Sequence, residues 1–113
     1  MDKRRTRRFQ LELPLSITRT GAEQVTVPGF TKNISSSGVL FTSGAAPALG
    51  GPIEYVITLK HEGEQKVNLR CMGKVLRSER TQSEGRRAWQ IAATLERYEF
   101  IRGRELMGIP ALA

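Results

Sequence analysis

Only one cysteine, Cys71, occurs among the 113 residues, so the chain can build neither an internal disulfide framework nor a cysteine metal cluster. Histidine is equally scarce. His61 is the single one, and it stands in a turn-forming stretch where solvent exposure is its expected fate. No nucleophile–base pair, no paired carboxylates in a plausible site and no metal-ligand spacing emerge, and an enzyme is not expected. Aromatic residues make up 6% of the chain, and most fall in phase with the core, which leaves few platforms for stacking nucleic-acid bases. No stretch approaches the roughly 18 apolar residues of a membrane span. The opening residues are charged and lack the apolar segment of a secretory signal. These absences point to a soluble cytoplasmic protein, with one domain and one modest core at 39% apolar content.

Positive charge is what the chain has in excess. It carries 18 basic and 11 acidic residues, a net charge of +7, and the first eight residues contribute +4 of it. Lys3, Arg4, Arg5, Arg7 and Arg8 precede any apolar pattern, so residues 1–8 read as a flexible basic arm whose charge is meant for an anion. Arginine presents a planar fork of donors that grips a phosphate or carboxylate, pairs with the guanine O6/N7 edge, and stacks on a purine. A solvated basic terminus with no specific ligand would show the same composition.

From Phe9 onward the sequence alternates. Phe9, Leu11, Leu13, Leu15 and Ile17 form the apolar phase of a half-buried strand, with Pro14 on the polar side. A second strand passes through Val25, Val27 and Phe30, interrupted at Pro28-Gly29. Asn33-Ile34-Ser35-Ser36-Ser37-Gly38 is a polar turn, in which Gly38 allows either a positive φ or a close backbone approach. A short strand at Val39–Phe41, a Gly/Ala/Pro-rich loop over Ser43–Pro52 and a strand over Ile53–Lys60 follow. After a hairpin turn at His61–Glu64, a long strand returns through Val67 to Val75, with Gly73 on its inner phase as a place for a bulge or bend. Arg77–Arg87 reads as a charged, mobile loop, and Trp89 to Leu95 as the last strand. Tyr98, Ile101 and Glu105 then share a helical face, which predicts a short C-terminal helix closed by Gly108–Pro110. Tyr55, Cys71 and Trp89 are expected in the core. Six antiparallel strands with turns between them and one terminal helix predict an all-β fold, a small six-stranded barrel over residues 9–113.

The two polar stretches together resemble the PilZ domain family of bacterial cyclic di-GMP receptors. The family pattern is Arg-x-x-x-Arg on an N-terminal arm, followed some tens of residues later by Asp or Asn-x-Ser-x-x-Gly. Here the stretches read Arg4-Arg5-Thr6-Arg7-Arg8 and Asn33-Ile34-Ser35-Ser36-Ser37-Gly38, with apolar Phe9 after the second arginine. The family fold, a six-stranded barrel with a C-terminal helix, would cover nearly the whole chain. Leu95-Glu96-Arg97-Tyr98 departs from the apolar run on which the family's last strand more often ends. By resemblance, Arg4 and Arg8 would hold guanine and phosphate, Arg5 or Arg7 would assist, Asn33 and Ser35 would bond the ligand from the barrel surface, and Gly38 would keep the turn open. No cofactor beyond the ligand is implied. A monomer or weak dimer that signals to an effector protein by contact is expected. A basic barrel binding RNA or DNA, and a PilZ-like module that binds only protein, are the competing readings.

Overall fold

The computed structural model describes residues 11–62, 65–83 and 85–102. The described residues contain no helix and form seven antiparallel strands in one sheet: β1 (Pro14–Thr20), β2 (Glu23–Ile34), β3 (Gly38–Ser43), β4 (Pro52–Glu62), β5 (Gln65–Ser83), β6 (Arg86–Thr94) and β7 (Arg97–Arg102). Hydrogen-bonded neighbours run β4-β1-β2-β3-β6-β5, and a β4–β5 pairing returns the order to its start. Inward-facing Leu15, Ile17, Phe41, Ile53, Tyr55, Ile57, Cys71, Val75 and Ile91 fill the space this circuit encloses. Alternation is the reason these segments are strands. Period two places every second side chain inside, where burial of apolar surface stabilises the sheet. Tyr55 and Cys71 are fully buried, as their phase predicts, and the Phe41 and Tyr55 rings meet with centroids 5.6 Å apart.

Four sequence expectations change. First, Arg97–Arg102 is a seventh strand instead of the start of a helix, and the remaining helical positions lie outside the described residues. The reason is β5, which is 19 residues long. It offers Val67–Met72 as an open edge just where β6 stops, and Arg102 back to Arg97 pairs along it. Backbone pairing and the β-favouring Tyr98, Phe100 and Ile101 outweigh a short helical period. Second, Arg77–Arg87 is no loop. It forms the outer half of β5 and the start of β6, joined at a tight turn where Gly85 takes φ 77°. Cross-strand pairs such as Arg80 opposite Trp89 hold this ribbon together despite its charge.

Third, β2 runs unbroken through Pro28-Gly29. Its pairing with β3 begins only at Gly29, so Pro28 has a strand neighbour on one side alone, where a missing N–H is tolerated. Gly29 is needed for a different reason: a Cβ there would lie 2.0 Å from the Thr42 carbonyl oxygen. Fourth, the irregularity in β5 falls between Val75 and Arg77 instead of at Gly73. The extra residue, Leu76, is thrown outward and is 60% exposed. Gly73 serves close packing, since a Cβ there would meet the Thr94 carbonyl oxygen at 1.9 Å.

Candidate functional site: a ledge at the Asn33–Gly38 turn

The ledge begins with a bulge. Register shifts between Thr31 and Asn33, so that Thr31 opposes Phe41 while Asn33 opposes Leu40. Thr31 and Phe41 face the core and are fully buried. Strict alternation would put Asn33 on the same inner side. The extra residue, Lys32, turns it to the outer face beside Leu40 instead. The Asn33 amide makes no hydrogen bond to a described residue and retains its full donor and acceptor capacity.

Ser35 is occupied. Its hydroxyl accepts from the Ser37 and Gly38 amides at 3.3 and 3.2 Å and donates to the Gly38 carbonyl at 3.2 Å. The Ser35 amide donates to the same carbonyl at 2.9 Å. This is a serine-held turn, in which the side chain replaces the backbone partners that the chain loses on reversing. The Leu95 amide anchors the turn from outside by donating to the Ser37 carbonyl at 2.9 Å. Gly38 does not need a positive φ. Its role is close approach, because a Cβ would lie 3.0 Å from the Ala93 carbonyl oxygen of β6.

Beneath the ledge, the Tyr55 hydroxyl donates to the Thr94 carbonyl at 3.0 Å. Thr94 Oγ1 accepts from the Lys74 amide at 2.8 Å and donates to Glu96 Oε2 at 2.9 Å. Burial, with smaller contributions from Cys71 and Glu96, pushes the Tyr55 hydroxyl well above the ordinary phenol range. Burial also pushes the Cys71 thiol up to about 12. Both groups therefore stay neutral, and both are structural.

Arg4, Arg5, Arg7 and Arg8 lie outside the described residues, but the root of their segment is fixed. The Thr31 amide donates to the Leu13 carbonyl at 2.9 Å, the Leu13 amide to Thr31 Oγ1 at 2.8 Å, and the Thr31 hydroxyl to the Leu11 carbonyl. Leu11–Leu13 thus continues beside β2 toward Asn33, beyond the last β1–β2 pair at Pro14 and Phe30. At full extension Arg8 can stand about 10 Å from Leu11 and Arg4 about 25 Å.

Sequence reading missed Arg77. Direct register carries a row across four strands from Asn33 to Leu40, Ala92 and Arg77, all on the outer face. The row places exposed Arg77 three strand spacings of about 4.8 Å each along the sheet from Asn33, beyond Leu40 and Ala92. Only strand pairing could reveal this, because 44 residues separate the two ends in the chain. Trp89 also departs from expectation. It packs against the core only in part, beyond Ile91 on β6, with the Arg80 guanidinium 5.3 Å from its ring centroid.

Among the described residues no group of three His, Cys, Asp or Glu side chains is placed to hold a metal ion, and no helix is long and apolar enough to cross a membrane. No curated protein matches the chain. The family model described as PilZ domain matches residues 2–98, which include both the arginine stretch and the Asn33–Gly38 turn, and the chain therefore belongs to the PilZ domain family.

Proposed function

We propose that this PilZ domain is a cytoplasmic bacterial receptor for cyclic di-GMP, and that its arm changes conformation on binding and signals to a partner protein. The family is known for binding this ligand and is not a catalytic one. One observation carries the reading. Thr31 ties Leu11–Leu13, the root of the arginine segment, to the strand that presents Asn33, and this supports a site shared by the segment and the ledge.

Arg4 and Arg8 grip guanine and phosphate, with Arg5 or Arg7 assisting. Asn33 supplies the free amide of the ledge. Ser35 holds the turn in shape, and contacts the ligand only if its bond to the Gly38 carbonyl is exchanged. Gly38 keeps the turn pressed against β6. Arg77 ends the row that begins at Asn33. The β1–β6 circuit acts as a barrel that keeps this ledge rigid while the arm orders over the ligand. Ordering the arm costs conformational entropy, and ligand contacts made only in the closed state favour that state. Such a domain works as a monomer or weak dimer with no further cofactor.

Calorimetric titration of the full chain with cyclic di-GMP, with GTP as control, tests the reading. Saturable binding at about micromolar affinity, roughly 8 kcal/mol, is expected and should disappear in Arg4→Ala/Arg8→Ala. Equal binding by parent and double variant would exclude the arm as the site. No heat at saturating ligand would exclude the receptor reading altogether.

A further inference from the structure

The β5–β6 ribbon extends past the enclosed core at the opposite end of the sheet from the Asn33–Gly38 turn. β3 pairs with β6 from Gly38 opposite Thr94 to Ser43 opposite Trp89, so the two regions are separated by the length of β3. Along the ribbon, Arg80 opposes Trp89 and Gln82 opposes Arg87, on the face that continues inward to Ile91. These side chains, with Thr81 and Ala88, line a concavity of about 440 Å³. Two guanidinium groups enter it. Neither has a carboxylate partner among the described residues. Arg80 lies over the Trp89 ring, and a stacked guanidinium keeps its in-plane N–H donors available for a carboxylate.

The edge of the same ribbon is open. β4 pairs with β5 only as far as Lys74, and the Gly50 and Gly51 backbone covers β5 at Val75. From Leu76 to Ser83 no described residue bonds β5 on the side away from β6. An unpaired strand edge is a template for another strand.

We propose that the β5 edge and the concave face of the ribbon form a docking site for an extended acidic peptide segment of a partner protein. The segment adds as a strand beside Leu76–Ser83, and its alternate carboxylates meet Arg80 and Arg87. Charge selects the partner: the concave face carries two cations and no described carboxylate, while Glu79 lies on the other face of β5. A single-stranded nucleic acid is the poorer fit. Its bases need successive open aromatic platforms, and the one aromatic here is already covered by Arg80. The site does not rest on the cyclic di-GMP reading, because neither the arm nor the Asn33–Gly38 turn contributes to it.

The test uses the full chain and a dye-labelled peptide of alternating glutamate and threonine, which puts its carboxylates on one face when extended. Its lysine counterpart and a thymidine oligonucleotide are the controls. Saturable anisotropy change with the acidic peptide alone is expected, together with altered emission of Trp89, the chain's one tryptophan. Arg80→Ala/Arg87→Ala should weaken binding about tenfold, or 1.4 kcal/mol. Arg86→Ala/Arg97→Ala removes the same charge from positions outside the concave face and should leave affinity nearly unchanged. Slowed amide exchange along Leu76–Ser83 should accompany binding. Equal losses from both double variants, preference for the oligonucleotide, or no binding would each overturn the proposal. Cyclic di-GMP titration of the same variants reads the other site separately.

Discussion

The two ends of β3 are built on different principles. At Gly38, backbone and short side chains bond one another: Ser35 closes the turn, Leu95 anchors it, and Thr94 joins Lys74 to Glu96. At Ser43 the sheet gives way to a two-stranded ribbon, where exposed Arg80 leans on half-buried Trp89. The first arrangement fixes positions to within a hydrogen bond. The second has few buried contacts and yields to whatever binds it. A site that must recognise one small ligand benefits from the first, whereas a surface that receives a flexible segment tolerates the second.

Breaking the rigid end should have the largest effect. Gly73→Ala places a methyl 1.9 Å from the Thr94 carbonyl oxygen, and backbone cannot move aside as a side chain would. A loss of about 3 kcal/mol is expected, read as a lower urea midpoint. Gly44→Ala, where a Cβ meets nothing within 4 Å, should change stability by no more than about 0.5 kcal/mol. Parental stability in Gly73→Ala would mean that β5 and Thr94 are not closely apposed.

The buried groups behind the ledge give stability a pH signature. Cys71 rises from 9.0 to about 12 in the folded chain through burial. Below the lower value the thiol is protonated in both states, so it contributes no slope. Between the two values the unfolded chain loses this proton while the folded chain keeps it, and stability falls as pH rises. Tyr55 shifts in the same direction from its own higher starting point. Urea midpoints should therefore decline as pH rises above about 9, with a shallower decline in Cys71→Ala. An equal decline in parent and variant would remove Cys71 as a cause.

These contrasts explain what could be read from the sequence. Inward positions such as Ile17, Phe41, Tyr55 and Cys71 were legible because burial imposes period two locally. The polar turn was legible because serine and glycine have few other reasons to cluster between apolar runs. Arg77–Arg87 was not. Its charge resembles a loop, and only cross-strand pairing makes a ribbon of it. Tyr98–Ile101 failed similarly, because a strand that completes an open edge is specified by β5, 27 residues or more earlier, rather than by its own period. The orientation of Asn33 depended on a bulge at Lys32 that no local pattern announces. Asn33 is thus visible in sequence as a motif residue, while the row it shares with Arg77 is a property of register.

The smallest effects compare the two ends most directly. Ser35→Ala removes a hydroxyl that accepts two amides and donates to a carbonyl, and the Gly38 amide then depends on solvent. A loss of about 1 kcal/mol is expected, with faster amide exchange confined to Ser37 and Gly38. Arg80→Ala removes one exposed cation from one ring face, for which about 0.5 kcal/mol is expected. Its clearest readout is Trp89 emission, which should shift as water reaches the uncovered indole while global stability scarcely moves. If Arg80→Ala proved the costlier of the two, the ribbon would be a structural part of the fold. Its open edge would then have to be regarded as held in place by the stack, and no longer as a surface free to receive a partner.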